Sequence, residues 1–266
     1  MENNQLKELE LNLNEIIKKG DLGEVQALLN AHPSLIPCIN ANFSTTSILG
    51  PLHQALECGF NDIATHLMNC TCIDINAKSK KTNFIPLHYA AITNNIDLAK
   101  LLLKRSTLSV NVQSECEEET PLFMASESGY LEMVKLLLEH GADPNISNIS
   151  SRTPLHVNYG KKGAHLQITK LLINSGADMS MRCDENRSAA SWYIANFKDA
   201  DSLAYLISKM SLKDFETFVD DEEHDPSPDF IEIMDSIYHT LSSDKQYYFD
   251  EKKLIFLLSE VNDYEQ

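Results

Sequence analysis

Short apolar runs alternate with polar breaks along most of the chain, and their spacing is helical. In "TPLFMASESGYLEMVKLLLEHGADPN", residues 120–145, two runs carry apolar side chains three and four positions apart. Thr120 suits an N-cap and Pro121 suits the first helical position, while Gly129 and Gly141 end the two runs. Two helices this short cannot bury their apolar faces against each other alone. The pattern therefore predicts a helical hairpin that needs neighbours.

The same arrangement returns at a nearly constant interval. Pro51, Pro86, Pro121, Pro154 and Ala189 lie 35, 35, 33 and 35 residues apart. The segments that begin there are "PLHQALECG", "PLHYAAITN", "PLFMASESG", "PLHVNYGKKG" and "AASWYIAN", and each precedes a second apolar run such as "LAKLLL" or "MVKLLL". These residues resemble the ankyrin repeat, which has a period of about 33 residues and the signature T-P-L-H-x-A. The resemblance covers roughly residues 13–210.

This resemblance implies an all-α fold, an ankyrin-repeat solenoid of helix-turn-helix repeats with projecting hairpins, followed by a short C-terminal helical segment. We expect an N-terminal helical cap repeat in residues 1–46 and four ankyrin repeats in residues 47–182. A degenerate fifth repeat then covers residues 183–210, and an acidic C-terminal helical segment covers residues 211–266.

The resemblance also assigns structural roles. Alanines of the first helices let neighbouring repeats approach, and second-helix leucines such as Leu101 and Leu136 are expected in the core. The signature histidines, which are His53, His88 and His156, are implied to bond the backbone between repeats. We therefore do not expect them to be metal ligands.

The sequence of the fifth repeat predicts that the stack of repeats ends there. Trp192 and Tyr193 stand where small residues would admit another repeat. We expect the apolar faces led by Phe215, Phe230, Ile233 and Ile237 to fold back and cover that end, including Trp192. The acidic stretch Asp220–Asp225 is expected to loop through solvent.

Charge and cysteine content narrow the function classes. The net charge is −17, and residues 211–266 hold sixteen acidic residues against four lysines. Such a chain is unsuited to nucleic acid and to anionic membrane surfaces, and no apolar run is long enough to span a membrane. The N-terminus lacks the apolar core of a secretory signal, so the six cysteines indicate reduced thiols in the cytoplasm.

By resemblance, binding residues lie on the hairpin tips and on the concave face of the first helices. Exposed Phe and Ile beside charged blocks suit a protein partner better than a small molecule. The candidate partner-binding residues are Phe43, Ile48, Lys80, Lys81, Phe84, Glu115, Glu117, Glu119, Ile149, Arg152, Tyr159, Lys161 and Arg187.

No motif predicts catalysis, a metal site or a cofactor. His66, Cys70 and Cys72 lie close in the chain, but a fourth zinc ligand is missing and His66 aligns with a core leucine. There is no phosphate-binding glycine loop and no hydrolase signature. We therefore expect a protein that is not an enzyme.

The leading hypothesis is a monomeric protein–protein interaction scaffold. Its Lys-, Asn- and Ile-rich composition resembles ankyrin effectors that intracellular bacteria such as Legionella deliver into host cells. The C-terminus "SEVNDYEQ" is similar to type IV secretion signals of those effectors. The partner would then be a host protein in the host cytosol. Two alternatives remain: an enzyme with its active site between the C-terminal helices and the last repeats, or an endogenous ankyrin adaptor or inhibitor.

Overall fold

The predicted all-α fold is confirmed. The computed structural model describes residues 2–35, 50–70, 74–79, 82–105, 107–157, 164–196, 200–224, 230–250 and 252. Within these ranges the chain forms helices and turns, with one isolated antiparallel bridge between Arg182 and Ser188 and no strand. Two compact units are present: unit 1 contains Met1–Ala125 and Glu139–Ala142, and unit 2 contains Ser126–Leu138 and Asp143–Gln266. No helix in the described ranges is long and apolar enough to cross a membrane.

Unit 1 is a series of helical pairs. The helices are α1 (Glu2–Lys19), α2 (Leu22–Ala31), α3 (Pro51–Glu57), α4 (Asn61–Met68), α5 (Pro86–Ile92), α6 (Ile96–Leu103) and most of α7 (Pro121–Glu127). Helix α1 packs against α2 and α3, and α3 packs against both α4 and α5. The buried side chains of Leu13, Ile17, Val25 and Leu29 hold the two N-terminal helices in this arrangement.

Left-handed backbone positions repeat at the same interval as the sequence pattern. Between the paired helices, Gly59, Asn94 and Gly129 have φ values of 75°, 53° and 70°. Glycine adopts this conformation without steric cost, and asparagine tolerates it better than most residues. The turn therefore keeps its geometry at Asn94, although the sequence there departs from glycine.

In the second helix of each pair, fewer leucines are fully buried than the repeated Leu-Leu pattern predicts. In α6, Leu98, Ala99 and Leu102 are buried, whereas Leu101 is half-buried. Leu136 is likewise half-buried, next to the fully buried Leu137. The expectation that Leu101 and Leu136 form the core is wrong, because the 3.6-residue period turns only one leucine of each pair fully inward.

Unit 2 contains the later repeats and the C-terminal segment. Its helices are α8 (Leu131–Glu139, except for its last residue), α9 (His165–Asn174), α10 (Ala189–Asn196), α11 (Ala200–Lys209), α12 (Leu212–His224) and α13 (Phe230–Ile237). A 3₁₀ turn at Tyr238–Thr240 and a terminal helix over residues 243–250 follow. In the fourth repeat, residues 154–156 form a turn, where the pattern predicts the start of a helix.

The C-terminal helices pack on the fifth repeat, as predicted. Ala190, Leu203 and Ile207 of α10 and α11 share one apolar cluster with Phe215, Phe218, Val219, Ile233, Met234, Ile237, Leu241 and Phe249. Phe215 and Phe249 are fully buried. The side chain of Phe230, which the prediction also included, lies outside the described residues.

Trp192 and Tyr193 are buried, and both contact the fourth repeat: the Tyr193 hydroxyl is 2.8 Å from Thr169 Oγ1, and the Arg152 guanidinium lies 4.2 Å from the centre of the Trp192 ring. One detail of the fold-back prediction is wrong. The predicted acidic loop is the end of α12 up to His224. Helix continues there because Glu is a good helix former and Asp220 is tied to the terminal helix by Tyr248, 2.8 Å away.

Candidate protein-binding surface

Four hairpins lie between consecutive helical pairs, and each is closed by one backbone hydrogen bond. The donor–acceptor pairs are Ser79–Phe84, Ser114–Glu119 and Asn148–Arg152 at 2.9 Å, and Cys183–Arg187 at 3.1 Å. One residue near each tip has φ between 54° and 59°, namely Asn83, Glu118, Ser151 and Asn186. Each hairpin thus contains one residue in the left-handed conformation, and the four residues differ in side chain.

Histidines anchor three of these hairpins to the preceding repeat, as the resemblance implies. The Nε2 atoms of His53, His88 and His156 lie 3.1, 3.2 and 3.3 Å from the carbonyls of Phe84, Glu119 and Arg187. Nδ1 of His88 and His156 accepts a backbone amide, so Nε2 carries the proton. Burial lowers the pKa of both rings to about 4, which keeps them neutral at pH 7.

Neighbouring hairpins are joined within each unit. In unit 1 the Glu115 amide donates to the Thr82 carbonyl at 3.2 Å. In unit 2 the Asp184 amide donates to the Ser150 carbonyl at 3.1 Å, and the Ser151 hydroxyl donates to the Asp184 carboxylate. Each pair therefore forms a preorganised surface, which lowers the entropy lost when a partner binds.

Asparagine side chains also join successive repeats, at the turns that follow the second helix of a pair. Asn76 donates to the Thr107 carbonyl at 2.7 Å and accepts from the Ser109 amide at 2.8 Å. Asn145 makes the matching pair in unit 2, with Gly176 and Asp178 at 2.9 and 2.7 Å. These ties hold successive repeats in register beside the hairpins.

The surface of unit 1 is an acidic tip. Glu115 and Glu117 are exposed, as is Glu118, whereas Glu119 is half-buried at the base of the hairpin. Phe84 is also a base residue: it is half-buried and stacks on His88 with ring centres 5.0 Å apart. It therefore supports the hairpin fold directly.

Four further residues belong to the predicted binding set. Phe43, Ile48, Lys80 and Lys81 lie outside the described residues.

The surface of unit 2 combines an exposed isoleucine with an arginine whose side chain is fixed by its neighbours. Ile149 is 56% exposed at the tip. The Arg152 guanidinium donates to Glu185 at 2.9 Å and lies over Trp192, so it is fixed from two sides. Arg187 is half-buried at the hairpin base, and Tyr159 and Lys161 lie outside the described residues.

Glu127 and Trp192 are neighbours of Arg152, Glu127 at an exposed position and Trp192 beneath the guanidinium with only 6% of its surface exposed. Glu127 is exposed at the end of α7, where its neighbours partly dehydrate it: burial raises the pKa of its carboxyl, and Arg152 opposes that shift. The repeat pattern places Glu127 at a concave position, and Trp192 is the only tryptophan.

Comparison with known families agrees with this geometry. A family model described as ankyrin repeats, in three copies, matches residues 13–114, 52–148 and 106–182. The chain belongs to the ankyrin-repeat family. No curated protein matches the chain. Ankyrin repeats mediate protein binding.

The ankyrin repeats and the C-terminal segment, as far as the structure describes them, bring no three His, Cys, Asp or Glu side chains together in a way that could hold a metal ion. The Cys70 thiol donates to the His66 backbone carbonyl at 3.7 Å, while Cys72 lies outside the described residues. This contact between the cysteine and the histidine residue involves the histidine backbone.

Proposed function

We propose that this ankyrin-repeat protein binds another protein through its hairpins and the adjoining concave positions. The observation that supports this best is the linkage of neighbouring hairpins, because it presents exposed side chains on a backbone that is already ordered. The two surfaces differ in chemistry. Unit 1 offers the carboxylates of Glu115 and Glu117, and unit 2 offers Ile149 near Arg152, whose guanidinium is held over the buried Trp192 ring.

Site-specific photo-crosslinking tests this proposal. A benzophenone side chain is introduced at Glu117 or Ile149, and at Leu11 or Tyr247 as controls, which are 49% and 74% exposed away from the hairpins. After irradiation in a eukaryotic lysate, adducts of one common protein are expected from positions 117 and 149. Excess unlabelled wild-type chain should suppress them, and the double variant Glu117→Lys, Ile149→Ser should not. Adducts that form only at the control positions would refute hairpin binding.

The finer proposal is that the chain acts as a monomer, is an effector of a Legionella-like intracellular bacterium, and binds a host protein in the host cytosol. Two features of the sequence support this proposal. The composition has 18 lysines against four arginines, and the C-terminal segment reads "SEVNDYEQ". That segment lies outside the described residues. A translocation reporter fused to the chain should reach host cytosol from wild-type bacteria but not from a type IV secretion mutant. Delivery that persists after deletion of residues 259–266 would contradict the proposed signal.

An endogenous adaptor or inhibitor remains the alternative if no delivery occurs, and it would use the same hairpins. The enzyme alternative requires an active site between the C-terminal helices and the last repeats. A cleft does lie there, and its described lining contains neither Cys nor His. The structure therefore offers no nucleophile–histidine pair in that cleft, and protein binding is the function that we propose.

A further inference from the structure

Two lysines of unit 2 converge on one tyrosine ring. Tyr205 is half-buried on α11, and its hydroxyl donates to Oδ1 of Asn174 on α9 at 3.3 Å. The ammonium of Lys170, also on α9, lies 5.2 Å from the centre of this ring, and that of Lys209 lies 5.5 Å from it. Because both distances end at the same ring centre, the two nitrogens are at most 10.7 Å apart, the sum of the two. We call Lys170, Asn174, Tyr205 and Lys209 the lysine–tyrosine patch.

Both lysines of the patch lack a counterion within the part of the chain that the structure describes. Their side chains are exposed, and neither ammonium forms an ion pair with a described carboxylate. Asp201, the acidic residue of α11, is exposed one turn before Tyr205 and is likewise not paired with either lysine. The tyrosine ring attracts the two ammonium groups but carries no net charge, so two positive charges remain to be balanced.

We propose that the lysine–tyrosine patch binds a phosphorylated side chain of a protein partner. In this arrangement the phosphate accepts hydrogen bonds from the ammonium groups of Lys170 and Lys209 and from the side-chain amide of Asn174. The patch lies on the second helices of the fourth and fifth repeats, so it is a surface additional to the hairpins. It shares with the hairpin proposal only the premise that the chain binds proteins.

The chemistry of the patch favours a phosphate group over a carboxylate. A phosphorylated side chain carries a charge of about −1.5 to −2 at pH 7 and three acceptor oxygens, whereas a carboxylate carries a single charge. Since Tyr205 donates to Oδ1 of Asn174, the NH₂ group of that amide is a third donor beside the two ammonium groups. The patch therefore presents donors and positive charge to a group that only accepts hydrogen bonds.

The charge of the whole chain favours a single phosphate over an extended anionic surface. A net charge of −17 opposes the approach of a membrane or a nucleic acid, which would face many acidic residues at once. A single phosphate needs only the patch, because charges more than about 10 Å away are largely screened at 0.1 M salt. Ankyrin repeats bind proteins, so a phosphorylated protein segment is the source that fits.

Fluorescence anisotropy on the full-length chain tests the proposal with labelled degenerate peptide libraries. Two libraries carry phosphoserine or phosphotyrosine between random flanking residues, and the matched libraries carry serine, tyrosine or glutamate at the same place. We expect at least one phosphorylated library to bind about tenfold more tightly than its matched libraries, because phosphate makes more charge-assisted hydrogen bonds. Inorganic phosphate should displace the bound peptide only at a concentration at least about tenfold above the Kd of the peptide.

Variants then assign this binding to the patch. Lys170→Gln and Lys209→Gln should each weaken phosphopeptide binding about fivefold, and the double variant should weaken it more than about tenfold. Lys100→Gln is the matched control, because Lys100 is exposed at the same position in the second helix of the second repeat, away from Tyr205. Its affinity should equal that of the wild type. All of these lysines are exposed, and substitutions at exposed positions usually leave stability nearly unchanged.

Three outcomes would overturn the proposal. The first is equal binding of phosphorylated and unphosphorylated libraries, and the second is an equal loss of affinity in Lys100→Gln and in the patch variants. The third is displacement by inorganic phosphate, or by vesicles that contain phosphatidylinositol phosphates, at the concentration at which the peptide itself binds, because the ligand would then be a free anion or a lipid. The hairpin cross-links are measured at other positions, so failure of the patch and failure of hairpin binding are distinguishable.

Discussion

Lys245 provides a direct test of how the C-terminal helices are held on the fifth repeat. Its side chain lies in the terminal helix and is only 7% exposed. The ammonium donates to the carbonyls of Ile207 and Met210 at 2.6 and 2.8 Å, at the C-terminal end of α11. A cation here adds a charge-assisted hydrogen bond to each of these carbonyls and interacts favourably with the helix dipole.

The size of the effect follows from two opposing contributions. Lys245→Met keeps the apolar stem but removes two charge-assisted hydrogen bonds, each of which contributes about 1.5–3 kcal/mol. It also removes the cost of dehydrating the ammonium, which is why burial lowers the pKa of Lys245, although Asp214 opposes that shift. We expect a net loss of about 2 kcal/mol in the free energy of unfolding of unit 2.

Urea unfolding followed by tryptophan fluorescence measures this loss. Trp192 is the only tryptophan and is buried in unit 2, so its emission reports that unit. With a slope of about 2 kcal/mol per molar, the midpoint should fall by about 1 M. Lys213→Met is the control, since Lys213 is exposed on α12. If Lys245→Met and the control unfold at the same midpoint with equal slopes, the two hydrogen bonds do not stabilise the segment and the reasoning fails.

Three further predictions concern the core, the histidines and the C-terminal segment. Leu137→Ala should cost about 2–5 kcal/mol and Leu136→Ala roughly half as much, because only Leu137 is fully buried; thermal unfolding by circular dichroism measures both. Between pH 6.5 and 4 the unfolded chain binds more protons at His88 and His156, whose folded pKa values are about 4, so stability should fall as pH falls, by about 3 kcal/mol per histidine below pH 4. As the pH falls across this range, the urea midpoint should fall less steeply in His88→Gln and in His156→Gln than in the wild type. If the midpoint depends on pH equally in variant and wild type, the low folded-state pKa of that histidine is wrong. Deleting residues 211–266 should expose Leu203 and Ile207, lower the melting temperature and cause aggregation; a truncated chain that stays monomeric and melts like the full chain would refute the fold-back as a source of stability.

The repeat period by itself determined the fold class and the phase of the helices. The prolines at positions 51, 86 and 121 fix where three first helices start, because proline acts locally at the first helical position, whereas Pro154 begins a turn. The roles of His53, His88 and His156 followed from the same phase, and each ring contacts the predicted kind of backbone carbonyl. The cover formed by Phe215, Ile233 and Ile237 was also predictable, since amphipathic helices beside an open apolar face have no other place to bury it.

Only the tertiary structure decided which way individual side chains face and which charges meet. Trp192 and Tyr193 pack toward the fourth repeat, and Phe84 is held against His88, because orientation depends on neighbours about 24 to 40 residues away or across a turn. Sequence spacing does not reveal that Arg152 lies over Trp192 beside Glu185, nor that Lys245 reaches the end of α11. Periodicity determines which face of a helix is buried, whereas a polar contact between distant segments exists only once the repeats and the C-terminal helices have been packed together.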